Sequence, residues 1–159
     1  MHEYRAKKGE GKMIKIVVAD DNEILLEQIV KGLKQSEEIE IVGVAKNGQE
    51  ELEYIKQFCP DIVITDIEMP KMTGVEVIEI AKDFENPPEF IVITGGASSE
   101  TMKELYSLPV KNIFNKPLEI QRIINEIENT KVIEIPKERL KTPAKEKSLF
   151  SKIKQFFNK

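Results

Sequence analysis

The chain has 159 residues, 40% of them hydrophobic, which is enough for one ordinary domain with a proper core and leaves room for appendages. No apolar run approaches the roughly eighteen residues of a membrane span, and the start MHEYRAKKGEGK has no apolar stretch behind its charges, so a cytoplasmic protein is expected. The net charge of −4 is spread unevenly: the segment 16–130 holds ten Lys/Arg against twenty-three Asp/Glu, which speaks against a nucleic-acid surface on this part of the chain.

After a polar leader over residues 1–12, Ile14 to Ala19 is an apolar run that ends at Asp20-Asp21-Asn22 and reads as a strand. Ile24, Leu25, Gln28, Ile29 and Leu33 then recur at helical spacing, closing near Ser36. Ile39 to Val44 is the next short strand. Asn47 can cap a helix that runs to about Phe58, with Leu52, Ile55 and Phe58 inward, and Cys59-Pro60-Asp61 ends it. Cys59 has no cation beside it in sequence to lower its pKa and is expected as a small buried residue.

Ile62 to Thr65 is β-branched throughout, too short for a free helix, and reads as a strand buried on both faces with Asp66 at its carboxyl end. A carboxylate there is expensive to desolvate unless a cation or hydrogen bonds receive it. Met69 to Gly74 is a loop, and Val75 to Phe84 resumes helical periodicity through Val77, Ile78 and Ala81 until Asn86-Pro87-Pro88 breaks it. Phe90 to Thr94 is a strand ending at Gly95-Gly96, and Ser98 or Ser99 can cap a short helix carrying Met102 and Leu105. Val110 to Phe114 is the last strand. Pro117 is then expected to open a helix from about Leu118 to Thr130, with Ile120, Ile123, Ile124 and Ile127 on its apolar side.

Five apolar strands alternating with five helices over short connections indicate an α/β protein, a doubly wound parallel sheet of five strands with helices on both faces. Right-handed crossovers place every strand's carboxyl end along one edge, which collects Asp20, Asp21, Asp66, Thr94 and Lys116. With one cysteine, Cys59, and one histidine, His2, no Cys/His metal cluster can form, and any metal site must be built from oxygen. Three converging carboxylates raise one another's pKa unless a cation neutralises them, and hard oxygen ligands suit Mg2+. With the metal in place Asp66 can act as a nucleophile toward a phosphoryl group, Lys116 offsetting charge on the transferring oxygens and Thr94 hydrogen-bonding one of them. Gly95 adds no side chain to obstruct the approach.

In this order and spacing, Asp20-Asp21, Asp66 within DIEMPKMTG, Thr94 and Lys116-Pro117 resemble the receiver domain of two-component response regulators, over roughly Met13 to Thr130. The resemblance implies a flavodoxin-like fold with strand order 2-1-3-4-5. It implies a single-domain response regulator in which Asp66 is the phosphoacceptor, taking phosphate from a sensor histidine kinase or a phosphotransfer protein. Asp21 and Asp66 would bind Mg2+ directly, the backbone carbonyl of Glu68 would be a third protein ligand, and Asp20 would act mainly through water. Thr94 and Lys116 would bind the phosphoryl group and relay its presence to a downstream protein. Receivers often have a cis bond before the proline matching Pro117, which would aim Lys116 inward. One position departs from the pattern: receivers commonly carry Tyr or Phe three residues before the lysine, and here Ile113 stands there, followed by Phe114. Strand alternation sends the two to opposite faces, so Phe114 is expected in the core and not as a substitute for the switching ring.

Beyond the receiver, residues 131–146 read as linker, and residues 147–159 as a basic amphipathic tail. Leu149, Phe150, Ile153, Phe156 and Phe157 draw one helical face there, Ser148 can cap it, and Lys147, Lys152, Lys154 and Lys159 lie mostly off it. An anionic membrane surface, a partner's groove, or the acidic body of the protein itself or of another copy each fit such a helix. The remaining residues are too few for a DNA-binding output domain, so no direct DNA binding is expected and the output is read as protein contact. Two other classes compete. A Mg2+-dependent phosphotransferase acting on small molecules would typically present an Asp-x-Asp pair on its first strand, whereas these acids are adjacent and the nucleophile lies two strands later, so the chain is read as no enzyme. An unphosphorylated scaffold of the same fold is the other alternative, kept open by Ile113.

Overall fold

The sheet is built outward from its most buried strand. In the computed structural model, which describes residues 12–129, the elements follow in the order β1 (Ile14–Ala19), α1 (Glu23–Leu33), β2 (Ile39–Ala45), α2 (Gly48–Phe58), β3 (Ile62–Asp66), α3 (Gly74–Ala81), β4 (Glu89–Thr94), α4 (Ser99–Tyr106), β5 (Val110–Asn115) and α5 (Ile120–Glu128). All strands are parallel in the order β2-β1-β3-β4-β5, the flavodoxin-like receiver arrangement. Every residue of β3 is buried. The leader through residue 11, the linker and the amphipathic tail lie outside the described residues. No helix among those described is long and apolar enough to cross a membrane.

Within the apolar strands, alternation decides which face each side chain covers. Ile16 and Val18, Ile62 and Ile64, and Ile91 and Ile93 meet Leu26, Ile29 and Leu33 of α1 and Ile123, Ile124 and Ile127 of α5. Val17, Val63, Phe90 and Val92 meet Leu52 and Ile55 of α2, Val77 and Ile78 of α3, and Leu105 of α4. Helices on both faces are the reason the strands read as unbroken apolar runs. Each such side chain contributes on the order of 1.5–3 kcal/mol by leaving water. Helix starts are set by side chains that accept from the first free N–H groups: Asn22, Asn47, Thr73 and Ser98 cap α1 to α4, and Thr73 with Glu76 closes a reciprocal pair. Each cap stabilises by about 1 kcal/mol.

Four expectations are corrected. In α1 the buried stripe is Leu26, Ile29 and Leu33, while Ile24 and Gln28, four residues apart, share a face turned away from that stripe and are exposed. Cys59 is exposed: it is the left-handed cap of α2 with φ 45°, where the helix ends ahead of Pro60. The third helix ends at Ala81 and not at Phe84. Pro117 does not open the last helix, which begins at Ile120; the Lys116–Pro117 bond is cis, as the resemblance implied, and Leu118 and Glu119 complete the connection.

The start of α3 sits directly on the phosphoacceptor candidate's peptide. A Cβ at Gly74 would run into the Asp66 backbone oxygen and stand 2.9 Å from Thr65 Oγ1. Backbone cannot yield as a flexible side chain can. Gly74→Ala is therefore expected to destabilise the protein by about 1–3 kcal/mol, checked by urea unfolding against the wild type; an unchanged midpoint would show that β3 and α3 separate freely.

Candidate functional site: an acidic cluster at the carboxyl edge of the sheet

Each site residue is delivered by a strand end. Asp20 and Asp21 follow β1, Asp66 closes β3, Thr94 closes β4, and Lys116 follows β5 with its N–H donated to the Thr94 carbonyl at 2.8 Å. Carboxylate oxygens of Asp20, Asp21 and Asp66 lie within 4.8 Å of one another. Asp20 and Asp66 are buried, and Asp21 faces solvent. The Lys116 ammonium reaches across the cluster, hydrogen-bonded to Asp66 Oδ2 at 3.1 Å and paired with Asp20 Oδ2 at 3.2 Å. The Asn22 N–H donates to Asp20 Oδ1 at 2.8 Å, and the Glu68 N–H approaches Asp66 Oδ1 at 3.4 Å.

Burial pushes the Asp66 carboxyl above its ordinary value, the Asp20 charge adds to this, and Lys116 opposes both. Burial by itself would lower the Lys116 pKa, but its bonds and charge contacts with Asp66 and Asp20 together raise it, so the ammonium stays charged. One ammonium among three carboxylates leaves a negative excess. Asp20 Oδ2 is buried and has Lys116 as an ion-pair neighbour without a hydrogen bond of its own among the described residues. An all-oxygen donor set, a net negative charge and an oxygen with spare acceptor capacity suit a hard divalent cation.

Thr94 Oγ1 accepts from the Gly96 N–H at 3.0 Å, which leaves the hydroxyl hydrogen to donate. Gly96 has φ 142°, a backbone conformation that side chains rarely adopt. The structure thus gathers all the sequence-predicted residues at one edge, Glu68 as an exposed loop residue beside Asp66. Ile113 and Phe114 do face opposite sides: Ile113 packs with the cluster of α2, α3 and α4, and Phe114 with that of α1 and α5, where the Arg122 guanidinium lies 5.9 Å from its ring centre.

Two residues escaped the sequence reading. Glu51 of α2 is fully buried beneath the cluster and Thr65 precedes Asp66 on β3; the Thr65 hydroxyl lies 3.0 Å from Glu51 Oε2 and 3.1 Å from the Asp66 backbone oxygen. The spacing of Gly48, Glu51, Leu52 and Ile55 on the buried side of α2 carries the signal for Glu51.

Comparison with known proteins agrees with this geometry. The family model described as response regulator receiver domain matches residues 16–128. The chain is 41% identical over 95 residues to a protein-glutamate methylesterase/protein-glutamine glutaminase of Lawsonia intracellularis, covering 58% of this chain and 27% of that one. It is 37% identical over 118 residues to the uncharacterized transcriptional regulatory protein YesN of Bacillus subtilis, covering 73% of this chain and 32% of that one. The chain therefore spans about a third or less of the length of these relatives. Among solved structures, the CheX–CheY–BeF3–Mg complex of Borrelia burgdorferi superposes with a TM-score of 0.67 at 23% identity, covering 75% of this chain and 90% of that one, which shows the shared fold. With the matched segment running from within β1 to the end of α5, the chain belongs to the response regulator receiver domain family of two-component signal transduction.

Proposed function

We propose that this receiver is a phosphorylation switch in which Asp66 accepts a phosphoryl group from the phosphohistidine of a sensor histidine kinase or a phosphotransfer protein. The observation that carries this reading is the cluster itself: three carboxylates within 4.8 Å, with Lys116 bridging Asp20 and Asp66. Asp21 and Asp66 would hold Mg2+ directly, with the Glu68 backbone carbonyl as a third ligand and Asp20 acting through water. When bound, Mg2+ supplies positive charge to the transferring phosphoryl oxygens.

In the transfer, an Asp66 carboxylate oxygen forms a bond to phosphorus while the donor's nitrogen–phosphorus bond breaks, the electron pair leaving with the imidazole, which takes up a proton. Lys116 keeps Asp66 in its ionised, nucleophilic form and meets the incoming charge. The Thr94 hydroxyl, whose hydrogen is free because Oγ1 accepts from the Gly96 N–H, donates to a phosphoryl oxygen in a charge-assisted bond. That new bond draws on the loop after Thr94 and the start of α4, a local electrostatic event read by a protein partner.

Intact-protein mass after incubation with Mg2+ and a small phosphoryl donor tests the reading. One phosphoryl group should be added to the wild type, and none to Asp66→Asn or to the wild type without metal. A wild type that gains no mass with the small donor or with candidate kinases would favour the unphosphorylated scaffold.

A further inference from the structure

Resting on the phosphoacceptor reading, we infer that Glu51 and Thr65 form a positioning pair that holds the Asp66 peptide, and thereby the nucleophilic carboxylate, through a buried chain of hydrogen bonds. Thr65 Oγ1 lies within hydrogen-bond distance of two oxygens, Glu51 Oε2 at 3.0 Å and the Asp66 backbone oxygen at 3.1 Å. A hydroxyl has one hydrogen and cannot donate it fully to both acceptors. Both contacts are satisfied when the Glu51 carboxyl carries a proton and donates to Thr65 Oγ1, while the Thr65 hydroxyl donates to the Asp66 carbonyl. The surroundings favour that form. Glu51 is 0% exposed, and its Oε1 has no hydrogen-bond partner among the described residues. Burial drives its pKa well above the ordinary value, and the Asp66 charge adds to this against the Thr65 hydrogen bond.

An acid in that position is a poor way to stabilise a fold. An apolar side chain of similar volume would fill the space without desolvating a carboxyl. What Glu51 adds is direction, because its hydrogen bond is passed by Thr65 to the backbone of the residue that does the chemistry. Gly74 closes on the same carbonyl from α3, so the Asp66 peptide lies between a hydroxyl donor and the first residue of a helix. Supporting bonds of this kind keep a reacting group within a fraction of an ångström of its working position.

The full chain should be compared as wild type, Glu51→Gln, Glu51→Leu, Thr65→Val and the double variant Glu51→Leu/Thr65→Val, each with Mg2+ and a small phosphoryl donor followed by intact mass, and each with a thermal unfolding curve. Thr65→Val leaves both the Glu51 carboxyl and the Asp66 carbonyl without their partner, and removing Glu51 as well leaves only the carbonyl so, which means the double variant should recover stability over Thr65→Val. Its phosphorylation should nevertheless stay about tenfold slower than the wild type's. Glu51→Gln, whose amide N–H can donate to Thr65 as the acid does, should keep a rate within about twofold. If Glu51→Leu does not fold, Thr65→Val alone decides, with the same tenfold loss expected. A double variant as fast as the wild type, or Glu51→Gln as slow as Glu51→Leu, would overturn the pair and leave the phosphoacceptor standing. A wild type that gains no mass with the small donor and with candidate kinases alike would instead refute the phosphoacceptor reading, and the pair's role with it.

Discussion

Lys116→Met is expected to slow phosphorylation of Asp66 by about a hundredfold, the usual loss when a preorganised charge on a transferring group is removed, while tightening Mg2+ binding. The two effects have one cause. Lys116 sits 3.1 Å from Asp66 Oδ2 and 3.2 Å from Asp20 Oδ2, and so competes with any metal for the negative charge it neutralises. Without it, both carboxylates are free for the metal, but no ammonium meets the incoming phosphoryl oxygens. Titration calorimetry with Mg2+ and a mass time course separate the terms. A lysine that merely stabilises the fold would lower the unfolding temperature and leave the rate at saturating Mg2+ unchanged, and that result would remove Lys116 from the chemistry.

The second large effect concerns pH. The Glu51 pKa in the folded protein lies well above its ordinary value, with burial first and the Asp66 charge second, against the Thr65 bond. For an acid shifted upward, the folded state keeps a proton that the unfolded chain releases. The stability it contributes is therefore fully present below the unfolded pKa and is lost as pH rises toward the folded one. The slope is about 1.4 kcal/mol per pH unit in that window. Glu51→Gln has no such proton, so its unfolding temperature should gain on the wild type's as pH rises above the ordinary glutamate range, by about 2–4 °C for each kcal/mol. Asp66 titrates in both proteins and cancels in the difference. Parallel curves would mean that Glu51 is ionised when folded, and the proton assigned to the Thr65 chain would be lost with it.

Much of the site is legible in the sequence because its residues sit at strand ends. Asp20, Asp66, Thr94 and Lys116 each follow an apolar run whose length and β-branched content mark it as a strand, and parallel strands joined by right-handed crossovers have no choice but to align those ends. The less legible parts depended on which side of an element faces inward. Ile24 is apolar and in register with a plausible stripe, yet α1 turns it to solvent. Cys59 looked like core because its type favours burial, but the left-handed turn that ends α2 carries it outward. Pro117 is compatible with a first helical position, and only the path of the chain after Lys116 decides that the helix begins at Ile120.

Local sequence by itself determined the element order, the cap Asn47, the parallel class of the sheet and the set of acids at its edge, since period, length and turn chemistry act within a few residues. Tertiary structure alone decided that Glu51, polar and unremarkable in GQEELEYIKQF, lies fully buried against Thr65 and the Asp66 peptide. It also decided that Gly74 is fitted to the Asp66 carbonyl and that Lys116 spans two carboxylates from separate strands. These are contacts between residues fourteen to ninety-six positions apart or across a turn, and they exist only once packing has chosen which faces meet and water has been excluded between them.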